Sequence, residues 1–347
     1  MYLHALATAV PEATFTQARC WEIVKASATA HERISRRSQL ILRTILRGDS
    51  GIATRHFAVN DIDRVFDLTP DELNEAFRVA APALAGRALT RALAAAGLGP
   101  ESIDALLICT CTGYLCPGVT SYVAEQLGLR PNTYLQDLVG LGCGAAIPTL
   151  RAAQGVLAAN PQATVACVAV EVCSAAFYLD DDPGVLVSAC LFSDGAAATL
   201  WRATPGPAGL CCFGFNTVHR PEDRDLLRFE LREGKLRNRL HPTVPQRAAS
   251  AVRHLLDAEP ADARRVGRVL AHTGGRDVLD ALEAALPGHS LTASRTVLRD
   301  YANMSSPSVL FVLEEALRTS RPTAAEDWWL VSFGAGFSAH SCRVGVT

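Results

Sequence analysis

Gly140-Leu141-Gly142-Cys143-Gly144 sets one cysteine between glycines, and the apolar run 145–150 continues directly from it. Glycines permit a tight turn that a β-carbon would block. The apolar run predicts a helix, whose N-terminal dipole would lie beside the sulfur and favour thiolate over thiol. The segment predicts a nucleophilic cysteine at a helix start, although a purely structural helix start is the commoner explanation of such a turn.

Two further segments carry an imidazole and an amide: His272 in residues 271–275 and Asn303 in residues 302–309. Taken alone, His272 is typical of a capped or surface histidine, and Asn303 of a helix N-cap. Together with Cys143 they are more specific, because a thiolate can carry an acyl group as a thioester while both partners stabilise an oxyanion or enolate. No carboxylate base lies in these turns, which favours a carbanion made by loss of CO2.

A fourth segment, residues 189–198 with Phe192, completes a pattern that resembles the type III polyketide synthases, whose plant members include chalcone and stilbene synthases. The resemblance runs from about Ala5 to the C-terminus. It ends in residues 332–337, which are similar to the family's glycine-rich loop near the active site.

The resemblance implies an α/β protein with a thiolase-like fold, in which two related halves form a five-layered αβαβα sandwich. We place the nucleophile half at residues 1–203 and the half with His272 and Asn303 at 210–347, because 203–209 has linker composition. Apolar runs independently predict strands and helices. The strands are expected at 104–110, 164–171, 195–201, 266–271 and 328–333, and the helices at 73–96, 119–127, 144–159 and 305–319.

The resemblance also implies the reaction. Cys143 would carry the acyl starter, His272 and Asn303 would activate malonyl-CoA, and Phe192 would be a gate between a CoA tunnel and the cavity. Decarboxylation gives an enolate that attacks the thioester, and repetition followed by cyclisation gives a pyrone or a resorcinol or other phenolic product. The substrates would be CoA thioesters with no further cofactor, and the enzyme a homodimer, with residues 116–123 as a candidate contact.

The cavity departs from the plant pattern. Cys111 and Cys173 stand where plant members usually have threonines, and Ala176 is small where a bulkier residue is common; the alternative role of both cysteines is apolar packing. Room beside Ala176 favours a long fatty acyl starter. The gating and substrate-binding candidates are Phe192, Cys111, Cys173, Ala176, Ser305, Gly334 and Gly336. For the CoA phosphates the candidates are Arg43, Arg47 and Arg55, although a solvated basic face is the commoner role of such residues.

Composition argues against several other classes of protein. The chain has 347 residues, 49% of them hydrophobic, and a net charge of −2, which argues against nucleic-acid binding. No apolar run reaches the length of a membrane span, so no integral membrane association is expected. Eleven scattered cysteines and no secretory segment predict a reducing, cytoplasmic location. The spacing of Cys109, Cys111 and Cys116 lacks the C-x-x-C pairs of structural zinc sites, so no metal is expected.

Three alternatives stay open at this point. A 3-oxoacyl-carrier-protein synthase of the fatty-acid initiating type shares the fold and a Cys-His-Asn triad. A catalytically silent acyl-CoA-binding or scaffold protein would leave Cys143 no more reactive than the other cysteines. A metal-binding structural protein would purify with stoichiometric zinc.

Overall fold

Apolar runs form the strands of a large sheet, and amphipathic or alanine-rich segments form the helices on its faces. The computed structural model describes residues 1–261 and 263–346, so residues 262 and 347 of the predicted C-terminal half lie outside the described part. The strands are β1 (Tyr2–Ala9), β2 (Thr14–Thr16), β3 (Thr54–His56), β4 (Ala105–Cys109), β5 (Tyr134–Leu138), β6 (Val165–Glu171), β7 (Gly195–Arg202), β8 (Leu210–His219), β9 (Leu227–Arg232), β10 (Lys235–Leu240), β11 (Arg265–Ala271), β12 (Glu326–Gly334) and β13 (Ser338–Val346). The helices are α1 (Gln17–Ala26), α2 (Ala28–Arg33), α3 (Arg36–Arg47), α4 (Pro70–Ala96), α5 (Val119–Leu127), α6 (Ala146–Ala159), α7 (Pro183–Leu191), α8 (Val244–Asp257), α9 (Arg276–Ala285), α10 (Thr292–Tyr301) and α11 (Ser308–Thr319).

The predicted strands and helices are present, with shifted ends where capping or backbone strain intervenes. Helix α4 begins three residues before its predicted start, because Thr69 and Glu72 form a capping box around its N-terminus. Helix α6 begins at Ala146, since a 3₁₀ turn at Gly142–Gly144 precedes it. Helix α11 begins at Ser308 and not at Ser305, whose φ of 61° is incompatible with a right-handed helix.

Nine strands form one hydrogen-bonded order, β11-β12-β13-β8-β1-β7-β6-β4-β5. The two portions of this order share a pairing pattern. In one portion, neighbouring strands pair antiparallel in the order β12, β13, β8, and β11 pairs parallel with β12 on the outer side. In the other portion, neighbouring strands pair antiparallel in the order β6, β7, β1, and β4 pairs parallel with β6 on the outer side. Between the portions, β1 and β8 pair only at Tyr2 and Cys211. The repeated pattern is that of two related halves.

Three hydrophobic cores reveal the layers. One core lies between α4 and the β4–β6–β7 face, and another lies between α8, α9 and the β11–β12 face. The third contains side chains from α6 and α11 together with the opposite faces of both portions of the sheet. Because successive strand residues point to opposite faces, Leu106 and Leu107 enter different cores. The order is helix, sheet, central helices, sheet and helix, which confirms the predicted five layers.

Two connections bear on the site. Residues 203–209 link β7 to β8, and the boundaries of the two halves at 203 and 210 stay a prediction. The β9–β10 hairpin is separate from the large sheet and pairs Phe229 with Asn238. Within residues 1–261 and 263–346, no helix is both long and apolar enough to cross a membrane.

Candidate active site

The turn that holds Cys143 rests on another stretch of backbone. Gly142 has a φ of 57°, which glycine adopts without strain. Beneath the turn lies Gly334 at the end of β12, where an added β-carbon would stand 2.6 Å from the Gly144 nitrogen and 2.8 Å from the Cys143 nitrogen. The Ser332 hydroxyl donates to the Gly144 carbonyl at 2.9 Å. Because Gly334 has no side chain, the end of β12 can lie directly against the cysteine turn and support it.

His272 follows the last residue of β11. Its backbone N–H donates to the Val331 carbonyl at 2.9 Å, and its ring lies edge-on to Phe333 with 5.2 Å between ring centroids. The side chain is buried, and its Nδ1 has no hydrogen-bond partner among the described residues. A buried polar atom without a partner is rare, and at a cavity wall it indicates a ligand position.

Asn303 lies in a strained segment. Ala302 before it and Ser305 after it have φ values of 60° and 61°. Such conformations cost about 1–3 kcal/mol each and cluster at functional sites. The Asn303 Oδ1 accepts from the Ser305 N–H at 2.8 Å, and the amide NH2 of this side chain donates to none of the described residues, so it can donate to a ligand. Asn303 is not the N-cap of α11, which begins after Pro307.

One cavity of about 530 Å³ contacts Cys143, His272, Asn303 and Phe192. Its other walls are mainly apolar and come from the end of α3, from α7, and from the segment that enters α8. The three polar groups come from distant parts of the chain, and each follows a strand or a strained turn. The structure thus brings together the four residues that the sequence singled out.

Phe192 also contacts a second, inner cavity of about 20 Å³, together with Cys173, Ala176 and Phe229. Its neighbours are bonded to the asparagine segment, because the Asn303 N–H donates to the Leu191 carbonyl at 3.2 Å and the Ser193 N–H donates to the Asn303 carbonyl at 2.9 Å. Phe192 therefore lies where the large and inner cavities meet, as expected of a gate.

The expectation of ample room beside Ala176 is wrong. A volume of about 20 Å³ accommodates about one water molecule, and no alkyl chain. The space is occupied by the rings of Phe177, Tyr178 and Phe229, which line this inner cavity with Ala176. The small side chain of Ala176 is thus compensated by aromatic neighbours, so this cavity gives no support to a long starter.

The expectation that Arg55 binds CoA phosphates is also wrong. Arg55 is 1% exposed. Its guanidinium donates to the carbonyls of Ala189 and Phe192 and lies over the ring of Phe57, 4.8 Å from the ring centroid. Every one of these contacts is internal, so Arg55 supports the backbone of the gate residue and does not reach a phosphate at the surface.

Arg43 and Arg47 are exposed on α3, whose last turns contribute Thr44 and Ile45 to the wall of the large cavity. Among the described residues, the arginine that lines this cavity directly is Arg276, the first residue of α9. Sequence reasoning missed Arg276, although it directly follows the His272 motif and begins a helix, where backbone N–H groups attract anions.

Burial controls the protonation of the catalytic candidates. Burial raises the pKa of Cys143 to about 12, which outweighs the opposing effect of a hydrogen bond from Ser305. Burial likewise lowers the pKa of His272 to about 3. Burial therefore favours the neutral form of both side chains. Burial thus opposes the resting thiolate expected from the sequence and the Ser305 hydrogen bond favours it, and the thiolate stays a prediction.

A buried carboxylate that the sequence analysis missed lies behind the cysteine. Glu171 accepts from Ser306 Oγ at 2.6 Å, from Thr112 Oγ1 at 2.8 Å and from Cys111 Sγ at 3.3 Å. The Ser305 hydroxyl lies 3.2 Å from Cys143 Sγ, 3.3 Å from Cys111 Sγ and 3.4 Å from Glu171 Oε1. A hydroxyl has one proton to donate, so Ser305 can donate a hydrogen bond to Cys143 Sγ or to Glu171, but not to both at once.

A further cavity of about 670 Å³ lies on the other side of this network. Cys111 and Gly336 line it, whereas Cys143 does not. Thr112 and Phe229 line both this cavity and the inner one. Phe229 is therefore a partition between the inner cavity at Phe192 and a larger space.

Comparison with known proteins agrees with this architecture. Residues 9–208 match the family model of FAE1/type III polyketide synthase-like proteins, and residues 217–344 match that of the C-terminal domain of chalcone and stilbene synthases. The 3,5-dihydroxyphenylacetyl-CoA synthase of Streptomyces toyocaensis is 31% identical over 71% of this chain and 67% of its own length. The 1,3,6,8-tetrahydroxynaphthalene synthase of Streptomyces peucetius subsp. caesius is 31% identical over 85% of this chain and 81% of its own.

Among solved structures, the 1,3,6,8-tetrahydroxynaphthalene synthase of Streptomyces coelicolor A3(2) superposes with a TM-score of 0.87 at 25% identity, covering 100% of this chain and 99% of that one. The fold and the cavity define an acyltransferase of the condensing-enzyme class with a thiolase-like fold. Within that class, the chain belongs to the type III polyketide synthase family.

Proposed function

We propose that this enzyme transfers an acyl starter from CoA to Cys143, condenses it repeatedly with carbanions formed from malonyl-CoA, and cyclises the chain to a pyrone or a resorcinol or other phenolic product. The observation that carries the proposal is the single cavity that contacts Cys143, His272 and Asn303. CoA thioesters would suffice as substrates, with no further cofactor.

The neutral states of Cys143 and His272 suit the first step. When the acyl thioester enters, the thiol proton can move to the imidazole as the sulfur attacks the carbonyl carbon, and the CoA sulfur leaves with a proton. The Ser305 hydroxyl bond to Cys143 Sγ lowers the cost of negative charge on the sulfur. Charge therefore develops only when substrate is present.

His272 and Asn303 suit the second step. A neutral imidazole and an amide NH2 can both donate to the thioester oxygen of malonyl-CoA, where negative charge grows as CO2 leaves. Neither donor carries a full charge that would have to be solvated in the buried site. The enolate carbon then attacks the acyl carbon on Cys143, and the cysteine sulfur leaves as the growing chain is released to CoA.

The starter is proposed to be short, because the inner cavity beyond Phe192 has a volume of only about 20 Å³. The names of the two Streptomyces relatives describe small aromatic products, which supports this proposal. For the phosphates of CoA we propose Arg43, Arg47 and Arg276, since the first two are exposed near the mouth and the third lines the cavity. A homodimer is proposed from the family alone, and a cytoplasmic location stays a prediction.

The test is mass spectrometry of the products formed by purified enzyme from malonyl-CoA and acyl-CoA starters of graded length, without carrier protein. We expect polyketide and CO2 from short starters, and no polyketide from Cys143→Ala. Strict dependence on a carrier protein would instead indicate the fatty-acid initiating class. Binding of acyl-CoA without CO2 release and without polyketide formation would indicate a silent acyl-CoA-binding protein.

A further inference from the structure

The hairpin of β12 and β13 presents four small or polar residues to the turn that holds the nucleophile. Ser332 pairs with His340 and Gly334 with Ser338, and alternate residues of a strand share a face. All four therefore lie on the face that supports the cysteine turn. An added β-carbon on Gly144 would stand 3.1 Å from His340 Cδ2, so the imidazole ring of His340 lies directly against this turn.

His340 is a buried imidazole that is bonded at both ring nitrogens. The residue is 5% exposed, and burial lowers its pKa to about 4. Its Nδ1 lies 3.1 Å from Thr217 Oγ1 on β8, and its Nε2 lies 3.1 Å from Ser338 Oγ. A neutral imidazole has one N–H donor and one acceptor nitrogen. One hydroxyl therefore donates to the ring, and the other accepts from it.

A third hydrogen bond fixes the direction of the other two. Ser338 Oγ donates to the Ala335 carbonyl at 3.0 Å, and a carbonyl oxygen only accepts. Because a hydroxyl has one proton, Ser338 must accept from His340 Nε2–H, and His340 Nδ1 must accept from Thr217. The result is a hydrogen-bonded bridge, defined by Thr217, His340, Ser338 and Ala335, in which every donor is matched to one acceptor.

Ala335, where the bridge ends, lies beneath the residue that precedes the nucleophile. An added β-carbon on Gly142 would stand 2.9 Å from the Ala335 nitrogen and 3.1 Å from the Ala335 β-carbon. Gly142 has a φ of 57°, and the next residue is Cys143. A displacement of Ala335 would therefore remove the support of the backbone that orients the Cys143 side chain.

We propose that His340 is a positioning residue for the nucleophile. Through Ser338 and Ala335 it holds Cys143 Sγ at the place from which the sulfur attacks the acyl starter, and its own ring supports the same turn at Gly144. The inference rests on the proposed function, because acyl transfer to Cys143 is the step that requires this placement.

The groups that decarboxylate malonyl-CoA are held by other contacts. The His272 N–H donates to the Val331 carbonyl at 2.9 Å, and the Asn303 N–H donates to the Leu191 carbonyl at 3.2 Å. None of these four residues belongs to the bridge. Loss of the bridge should therefore slow acyl transfer to Cys143 and leave CO2 release intact. The unused carbanion would take up a proton and leave as acetyl-CoA, whereas a general loss of structure would slow both processes equally.

The experiment measures polyketide and CO2 formed from malonyl-CoA and a short acyl-CoA starter. Ser338→Ala removes the link between His340 and Ala335. Ser341→Ala is the matched control, because Ser341 is also buried on β13 but lies on the opposite face of the strand. We expect Ser338→Ala to lower the rate of polyketide formation about tenfold or more, with CO2 release within about twofold of wild type. The control should match wild type in both rates.

A second pair of variants tests the imidazole itself. The amide NH2 of His340→Gln reaches about as far as Nε2 and can still donate to Ser338, so this variant should keep most of the polyketide activity. His340→Asn is too short to reach Ser338 and should behave like Ser338→Ala. Circular dichroism checks that each variant is folded. If His340→Asn does not fold, Ser338→Ala decides the outcome, because it loses only one hydroxyl.

Three results would overturn this inference and leave the proposed function intact. The first is an unchanged ratio of polyketide to CO2 in Ser338→Ala, and the second is an equal loss of both products in that variant. The third is a folded His340→Gln variant that forms no more polyketide than His340→Asn. Absence of polyketide with the wild type would instead overturn the proposed function.

Discussion

Arg55 offers a sharp test because its two conceivable roles predict opposite results. Its guanidinium satisfies the buried carbonyls of Ala189 and Phe192 and lies over the rings of Phe57 and Phe177. Arg55→Met keeps the length of the side chain but leaves both carbonyls without a donor. Each buried unpaired carbonyl costs about 1–3 kcal/mol, so the free energy of unfolding should fall by about 2–6 kcal/mol.

The assay is equilibrium denaturation in urea, followed by steady-state kinetics with a CoA thioester and with its analogue that lacks the 3′-phosphate. For Arg55→Met we expect a lower unfolding midpoint and a reduced kcat, because Phe192 loses its backbone support. The ratio of KM values for the two substrates should not change. Arg43→Met is the matched control, since Arg43 is exposed and should alter the free energy of unfolding by no more than about 0.5 kcal/mol. An Arg55→Met variant as stable as wild type, with KM raised only for the phosphorylated substrate, would refute this reasoning.

Three further predictions concern the cavity and protonation. Phe229→Ala should join the inner cavity to the 670 Å³ cavity, so the variant should accept longer starters than wild type. Mass spectrometry of the products checks this, with Leu231→Ala at an exposed residue as the control. An unchanged range of starters would contradict the prediction. Because burial raises the pKa of Cys143 to about 12, its alkylation by iodoacetamide should accelerate about tenfold per pH unit between pH 7 and 10; a flat profile would indicate a resting ion pair. Burial raises the pKa of Asp194 to about 6 from 3.8, so the folded state binds a proton that the unfolded state releases, and the contribution of Asp194 to the free energy of unfolding should fall as pH rises from about 4 to 6. Urea denaturation of wild type and Asp194→Asn across that range is the check: the difference in free energy of unfolding, wild type minus variant, should fall with rising pH, and a constant difference would contradict the prediction.

The buried strands could be predicted closely because each is a continuous apolar run between small-residue turns. The run that became β6 is buried on both faces, and its predicted and observed starts differ by one residue. Short elements such as β2 and β3 were not predicted, since three residues carry no periodic signal and their pairing depends on distant chain segments.

The cysteine, histidine and asparagine turns were found because glycine and small residues mark sharp turns where a strand ends. Glu171 gave no comparable signal, because a single acidic residue at the end of an apolar strand is explained only by the donors that converge on it from other segments. The prediction that Arg55 binds CoA phosphates was wrong for the same reason. Arginine is usually exposed, and only the tertiary structure shows the carbonyls that accept hydrogen bonds from the buried guanidinium. The burial that opposes a thiolate at Cys143 also could not be predicted, because the cost of desolvation cannot be inferred from local sequence.

The most direct test of the account is the rate of CO2 release from malonyl-CoA by three variants, Cys143→Ala, His272→Ala and Asn303→Ala. If the cysteine carries the acyl chain while the imidazole and the amide stabilise the enolate, Cys143→Ala should still release CO2 but form no polyketide. The rate of CO2 release should fall about 100-fold or more in His272→Ala and in Asn303→Ala. Polyketide formation at the wild-type rate by Cys143→Ala, or undiminished CO2 release by the other two variants, would contradict the account.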